Sequence, residues 1–411
     1  MAVGWCAASV GPVAAAAPAA RQTRYIVTLR PSAGDPGTFA ARVADRFRFP
    51  VRHVYDAALR GFAADLPPAA GIALAADPNV AAVTPDTPLA ASAQVIPTGI
   101  RRIHGDLAAS AAPGYSNAPT IDVDVAVLDS GIDPHHPDLN VVGGTDCTGG
   151  GGFDDRYGHG SHTAGIIGAL NNTIGVVGVA PGARLWAVKV LDDHGDGTVS
   201  DLLCGVDWVT STRLGGHHGI EVANLSVGGG GSDDGHCGQV DGDVLHQAIC
   251  RSVAAGTTYV AAAGNDHVDA STTIPAAYPE VITVSALADS DGRAGGAGGA
   301  PSCRPNEHDD TLASFSNYGK AVALVAPGVC ILSTLPTRGR DGGDRDAYGV
   351  LSGTSAAAPH VAGAAARWLS KHPGAAPADV RRALVAAGSS DWDDRGDPDG
   401  VKEPLLDVSR L

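Results

Sequence analysis

A chain of 411 residues with 44% hydrophobic and only 18% charged residues can build one large core and a smaller second domain, which excludes a disordered protein. Its formal net charge of −16 argues against nucleic acid and anionic membranes as partners, since both are bound through basic patches. Beyond the N-terminus no segment approaches the roughly 18 continuous apolar residues of a membrane span.

Residues 1–20 are alanine-rich and uncharged and end in Ala17-Pro18-Ala19-Ala20 before Arg21. That stretch resembles the end of a secretory signal peptide, although the basic n-region is missing, so an exported, extracellular protein is expected. Residues 21–92 read as a separate α+β domain. Strands are predicted over 25–29, within 57–66 and over 80–86, and helices over 38–47 and 69–76. The order β-α-β-β-α-β is ferredoxin-like.

From residue 93 apolar strands alternate with helical stretches, which predicts a three-layer α/β/α fold around a central, mostly parallel sheet. Strands are expected over 124–128, 184–190, 222–227, 258–262, 281–286 and 323–326. Helices are expected over 159–170, 198–212, 240–255, 355–371 and 377–387. Chemistry then belongs at the C-terminal ends of the strands.

Four short stretches carry that chemistry. Leu351-Ser352-Gly353-Thr354-Ser355-Ala356 places a serine where a loop becomes an alanine-rich helix, so first-turn amides face any negative charge developing there. A serine hydroxyl needs a base, and the base needs an orienting group. Val125-Ala126-Val127-Leu128-Asp129-Ser130-Gly131 ends an apolar strand in a carboxylate, and Gly158-His159-Gly160-Ser161-His162 opens a small-residue helix with two histidines. Val260-Ala261-Ala262-Ala263-Gly264-Asn265 ends another strand in an asparagine amide.

In this order the blocks resemble the signature blocks of the subtilisin-like serine proteases, the subtilases; the order Asp, His, Ser is a known pattern of that family. The resemblance covers the chain from about residue 24. It implies a serine endopeptidase acting on proteins and peptides, with catalytic Asp129, His159 and Ser355. His162 is then a structural neighbour, and Asn265 with the Ser355 N–H an oxyanion hole. It also implies that residues 21–92 are an inhibitory propeptide. Ala93-Gln94-Val95-Ile96-Pro97-Thr98 is similar to the mature N-terminus of bacterial subtilisins, so self-cleavage is expected near Ser92–Ala93 and the catalytic domain over 93–411.

The loop Ala169-Leu170-Asn171-Asn172-Thr173-Ile174-Gly175-Val176 is similar to the family's calcium loop. Carried over by position, the ligands are Gln94, Asp138, Asn172 and the carbonyls of Leu170, Ile174 and Val176, all oxygen donors as calcium requires. The resemblance assigns the substrate pocket to Ser226, Val227, Gly228, Ala262, Ala263 and Gly264. Thr273 stands where the family often has glycine at the pocket base, which implies mid-sized apolar side chains as substrate. Ala356 replaces the methionine that follows the nucleophile in many subtilisins, which implies resistance to peroxide.

Cys147, Cys204, Cys237, Cys250, Cys303 and Cys330 remain once Cys6 is assigned to the signal, and in an exported protein they suggest three disulfides. Fifteen connectivities are possible; Cys147–Cys204, Cys237–Cys250 and Cys303–Cys330 are taken as the working expectation. The acidic tail over 391–400 carries carboxylates enough for a second calcium, but its composition favours a solvated loop. Two other readings compete: a catalytically silent, peptide-binding subtilase relative, which has no need of all four residues Asp129, His159, Asn265 and Ser355, and a nucleotide-binding enzyme, whose phosphate-loop motif the sequence lacks. The protein is expected to act as a monomer.

Overall fold

The computed structural model describes residues 24–86, 94–107, 121–215, 219–338 and 347–411. The expected signal stretch 1–20 and the expected cut at Ser92–Ala93 lie outside them. Contacts divide the chain into two compact units.

The smaller unit runs β1 (Arg24–Leu29), α1 (Pro36–Phe47), β2 (Val51–Tyr55), β3 (Gly61–Asp65), α2 (Pro68–Ala75) and β4 (Val80–Pro85). Its sheet has the order β2-β3-β1-β4 and is antiparallel throughout. Asp35 caps α1 by accepting from the Thr38 N–H at 2.7 Å. Phe39, Val43, Phe62, Leu74 and Val27 form its core. The order is the ferredoxin-like one expected. β2 precedes the predicted 57–66 region, because Arg52 and His53 on this exposed edge hide the alternation that would mark a strand.

The larger unit continues with α3 (Thr98–Arg102), β5 (Asp124–Asp129), β6 (Val141–Asp146), α4 (His159–Gly168), β7 (Arg184–Lys189), α5 (Val199–Leu214), β8 (Val222–Leu225) and β9 (Gly229–Gly230). Then follow α6 (Val244–Ala254), β10 (Thr258–Ala262), β11 (Thr273–Ile274), β12 (Ile282–Ala288), β13 (Thr311–Leu312), β14 (Val322–Pro327), β15 (Ile331–Thr334), β16 (Tyr348–Leu351), α7 (Thr354–Lys371) and α8 (Pro377–Ala387). The main sheet has the order β13-β12-β10-β8-β5-β7-β6, with β14 also on β12. Every pairing is parallel except β12 with β13.

Alternate residues of the central strands feed two separate cores, which is why the unit has three layers. Val125, Val127, Leu185, Ala187 and Val260 face Ile167 of α4 and Val361 and Ala365 of α7. Ala126, Leu128, Val188, Leu225 and Tyr259 face Val206 and Val209 of α5 and Leu245 and Ile249 of α6.

Helix ends move where caps decide. The predicted 240–255 helix starts at Val244, because Asp243 accepts from the Leu245 and His246 N–H groups. The 159–170 helix ends at Gly168, ahead of the loop. Cys147–Cys204, Cys237–Cys250 and Cys303–Cys330 are all bonded as expected.

Candidate active site

β5 lies between β7 and β8 in the sheet, so its C-terminal residue Asp129 stands at the centre of the sheet's edge, fully buried. His159 is the first residue of α4. Its Nδ1–H donates to Asp129 Oδ1 at 2.8 Å and Oδ2 at 2.9 Å. A carboxylate beside Nδ1 fixes the proton there and leaves Nε2 with its lone pair. Burial works against an imidazolium here, but the Asp129 charge and hydrogen bond outweigh it, and the His159 pKa lies above the ordinary 6.5.

A buried carboxylate outside the sequence expectations places His159. Asp155 accepts from the N–H groups of Gly158 and Ser161 at 2.7 and 2.8 Å, using first-turn donors that α4 leaves without internal acceptors. The Ser130 hydroxyl donates to Asp155 at 2.9 Å and accepts from the Gly160 N–H at 3.0 Å, joining the end of β5 to the start of α4. His162 differs from His159 in kind. Its Nε2–H donates to the Ile331 carbonyl at 2.9 Å, and burial pushes its pKa down to about 3, so it stays neutral.

Ser355 is the second residue of α7 and half-buried. Its carbonyl accepts from the Ser226 hydroxyl at 2.8 Å, and that hydroxyl accepts from the Asn224 amide at 2.9 Å. Asn265 is exposed just beyond β10. Its Oδ1 accepts from the Thr354 N–H at 2.8 Å, which leaves its Nδ2 as the outward donor. A methyl group added to Gly353 would lie 2.9 Å from Ser355 Oγ and 3.5 Å from Asn265 Nδ2, so hydroxyl and amide flank one small space. A hydroxyl and an amide donor beside one space at a helix N-terminus suit attack on a carbonyl and stabilisation of the resulting oxyanion.

The subtilase family profile matches residues 120–401. The chain belongs to the subtilase family. It is 40% identical over 318 residues to subtilisin NAT of Bacillus subtilis subsp. natto, covering 76% of this chain and 71% of that protein. It is 37% identical over 319 residues to an alkaline protease of Shouchella clausii, covering 77% and 71%. A crystal structure of a cold adapted subtilisin-like serine proteinase superposes with a TM-score of 0.57 at 31% identity, covering 77% of this chain and 99% of that one. The protein is a serine-type endopeptidase with a subtilisin-like fold.

In this subtilase the expected pocket residues fall on two neighbouring strands. Ser226, Val227 and Gly228 follow β8, and Ala262, Ala263 and Gly264 end and follow β10. Thr273 opens β11, which pairs with β9. Its methyl lies 3.4 Å from a Cβ built on Gly228 and 3.5 Å from one built on Gly264, so it stands between both glycines. Buried Asn317 was not anticipated from sequence. Its Nδ2 donates to the Ala263 carbonyl at 2.9 Å and to Thr273 Oγ1 at 3.1 Å, while its Oδ1 accepts from the Asp266 and Val268 N–H groups.

The expected calcium ligands also converge in part. The Gln94 amide approaches the Leu170 carbonyl at 2.6 Å and the Val176 carbonyl at 2.9 Å, and its buried Oε1 has no donor. Turning that amide over points a third oxygen between the two carbonyls. Asp138 is buried, and it accepts from Asn172 at 2.7 Å and from the Val176 N–H at 3.0 Å. The Ile174 N–H donates to Asn172 Oδ1 at 2.8 Å, which holds the loop in its turn. This oxygen-only set fits calcium. Calcium held there would crosslink the segment at Gln94 to the loop after α4.

Proposed function

We propose that the protein is a secreted, calcium-stabilised endopeptidase made as a self-processing zymogen. The observations that support this reading are the buried Asp129–His159 pair and, at the start of α7, Ser355 and Asn265 flanking one space. In the proposed mechanism His159 Nε2 takes the Ser355 proton as Oγ attacks the scissile carbonyl. Asn265 Nδ2 and the Ser355 N–H receive the oxyanion, and His159 returns the proton to the leaving amine. Water, deprotonated by the same imidazole, then releases the acyl group.

The glycine-rich segment after β8 and the end of β10 bind an extended peptide through backbone hydrogen bonds. Residues 21–92 act as intramolecular inhibitor and folding aid, and Gln94, Asp138, Leu170, Asn172, Ile174 and Val176 hold structural calcium. Export is supported by the alanine-rich 1–20 stretch. Among the described residues no helix is long and apolar enough to cross a membrane. The substrates are proteins and peptides, neither nucleic acid nor membrane is a partner, and the enzyme works as a monomer.

Intact-mass and N-terminal analysis beside a Ser355→Ala variant tests this reading, with a fluorophosphonate probe on both. The wild type is expected to start near Ala93 and to take up the probe at Ser355. The variant is expected to keep residues 24–92 and to stay unlabelled. Equal processing and equal labelling overturn the proposal.

A further inference from the structure

The loop after α8 brings three carboxylates together far along the chain from the residues above. Asp397, Asp399 and Glu403 each present an oxygen within 4.8 Å of the others. The loop is closed at its base. Ser389 and Leu405 exchange both backbone hydrogen bonds at 2.8 Å, and Trp392 Nε1–H donates to the Glu403 carbonyl at 2.9 Å. Trp392 and Leu405 pack with Leu287, Leu312 and Val325 of the sheet.

Two oxygens of this cluster have no donor from outside it, and the Asp397 and Glu403 carboxyls meet each other. Glu403 is only 6% exposed, and its Oε1 is enclosed without a hydrogen-bond donor; Asp397 Oδ2 is enclosed in the same way. The basic side chains of the loop are engaged elsewhere. Arg395 pairs with Asp393, and Lys402 Nζ reaches the Trp392 carbonyl and lies 5.5 Å over its ring. Among the described residues no Lys or Arg pairs with Asp397, Asp399 or Glu403.

Enclosing anionic oxygens without donor or counter-charge is costly, and three converging carboxylates add mutual repulsion. A divalent ion removes both costs. Two ligands each about 2.4 Å from one ion lie at most about 4.8 Å apart, so the observed spacing admits a shared ion. The donors are all carboxylate oxygens, which suits calcium and not zinc.

We propose that Asp397, Asp399 and Glu403 form a second calcium site that pins the 393–403 loop onto the β14 edge of the sheet. It is separate from the Gln94 and Asp138 site. Glu403 is the enclosed anchor, and Asp399, the exposed member, faces the solvent from which the ion enters.

The test uses the full-length Ser355→Ala protein, which cannot digest itself, stripped with chelator and dialysed against calcium. Asp399→Asn, at an exposed position, is expected to bind about one ion fewer per chain, and Glu403→Gln the same. Terbium emission excited through tryptophan is expected to drop several-fold in Asp399→Asn and in Trp392→Phe, and to persist in Asp138→Asn. An unchanged calcium count in both Asp399→Asn and Glu403→Gln overturns the proposal and leaves a carboxyl pair that shares a proton.

Discussion

Thr354 holds the Asn265 side chain through two donors at once: its N–H at 2.8 Å and its hydroxyl at 3.1 Å both reach Asn265 Oδ1. The same hydroxyl accepts from the Gly264 N–H at 3.1 Å, so one buried residue beside Ser355 fixes both loop and amide. An amide held by its oxygen cannot turn over, and its Nδ2 stays aimed at the proposed oxyanion position. Losing such a donor costs about 10²–10³ in turnover, a magnitude measured on subtilisin. Asn265→Ala is expected to lose that much in kcat with little change in KM. Thr354→Val keeps the N–H contact and is expected to lose roughly tenfold. Steady-state kinetics on a peptide anilide separates the two, and an unaffected kcat in Thr354→Val removes its positioning role.

The raised His159 pKa fixes the sign of the pH dependence. Only neutral imidazole accepts the serine proton, so kcat/KM should rise with pH through a value above the ordinary 6.5. Asp129→Asn removes the two largest influences that raise the His159 pKa and leaves only the weaker Asp155 charge against burial, so the acid limb should move to lower pH. The plateau should fall by about 10⁴, since the amide favours the wrong tautomer. His162, near 3, contributes nothing to the profile. A pH series on wild type and variant decides it; an acid limb that stays in place rules out Asp129 as the source of the raised value.

Asp129, His159, Ser355 and Asn265 were legible as candidates in sequence because each sits in a short block whose neighbours also specify the turn or helix start that holds it. The residues that support them were not. Asp155 is 25 positions from Ser130, and Asn317 is 54 from Ala263; only the fold makes them neighbours. Periodicity likewise reported strands buried on both faces, such as β5, and missed β6, whose Val141-Val142-Gly143-Gly144 stretch carries too little apolar content. The β15–β16 hairpin escaped because its two halves lie far apart and β16 is only half-buried. Glu403 lies beyond the 391–400 stretch that reads as an acidic tail, and nothing local announces that the Trp392 ring N–H reaches its carbonyl.

Thr273 lies between Gly228 and Gly264, at the floor of the proposed pocket. Thr273→Gly should deepen the pocket and raise kcat/KM for phenylalanine over alanine before the scissile bond by about tenfold or more. Thr273→Ser keeps the oxygen that receives Asn317 and removes only the methyl, so it should give part of the shift. Specificity constants on a matched peptide series measure it, and unchanged ratios in both variants place the floor elsewhere.

Chelation should lower the thermal midpoint, since an ion bound only by the folded state at about 1,000 times its Kd adds roughly 4 kcal/mol. In Asp138→Asn the chelator should cost less than in wild type. Calorimetry on the Ser355→Ala background, with and without calcium, compares them. An equal loss in both proteins removes Asp138 from the binding set.

Ala356 follows the nucleophile in a buried setting against Ile166 and Ile331. A thioether at this position would stand next to Ser355, and its oxidation would introduce a polar sulfoxide beside the attacking oxygen. The chain has a single methionine, at position 1, so no other thioether can substitute for that lesion. Wild-type activity should therefore survive dilute peroxide, whereas Ala356→Met should lose most of it on the same treatment. Mass analysis should find the variant about 16 Da heavier as activity falls, the signature of one added oxygen. Rapid inactivation of the wild type would mean that an oxidisable group other than a methionine controls the site.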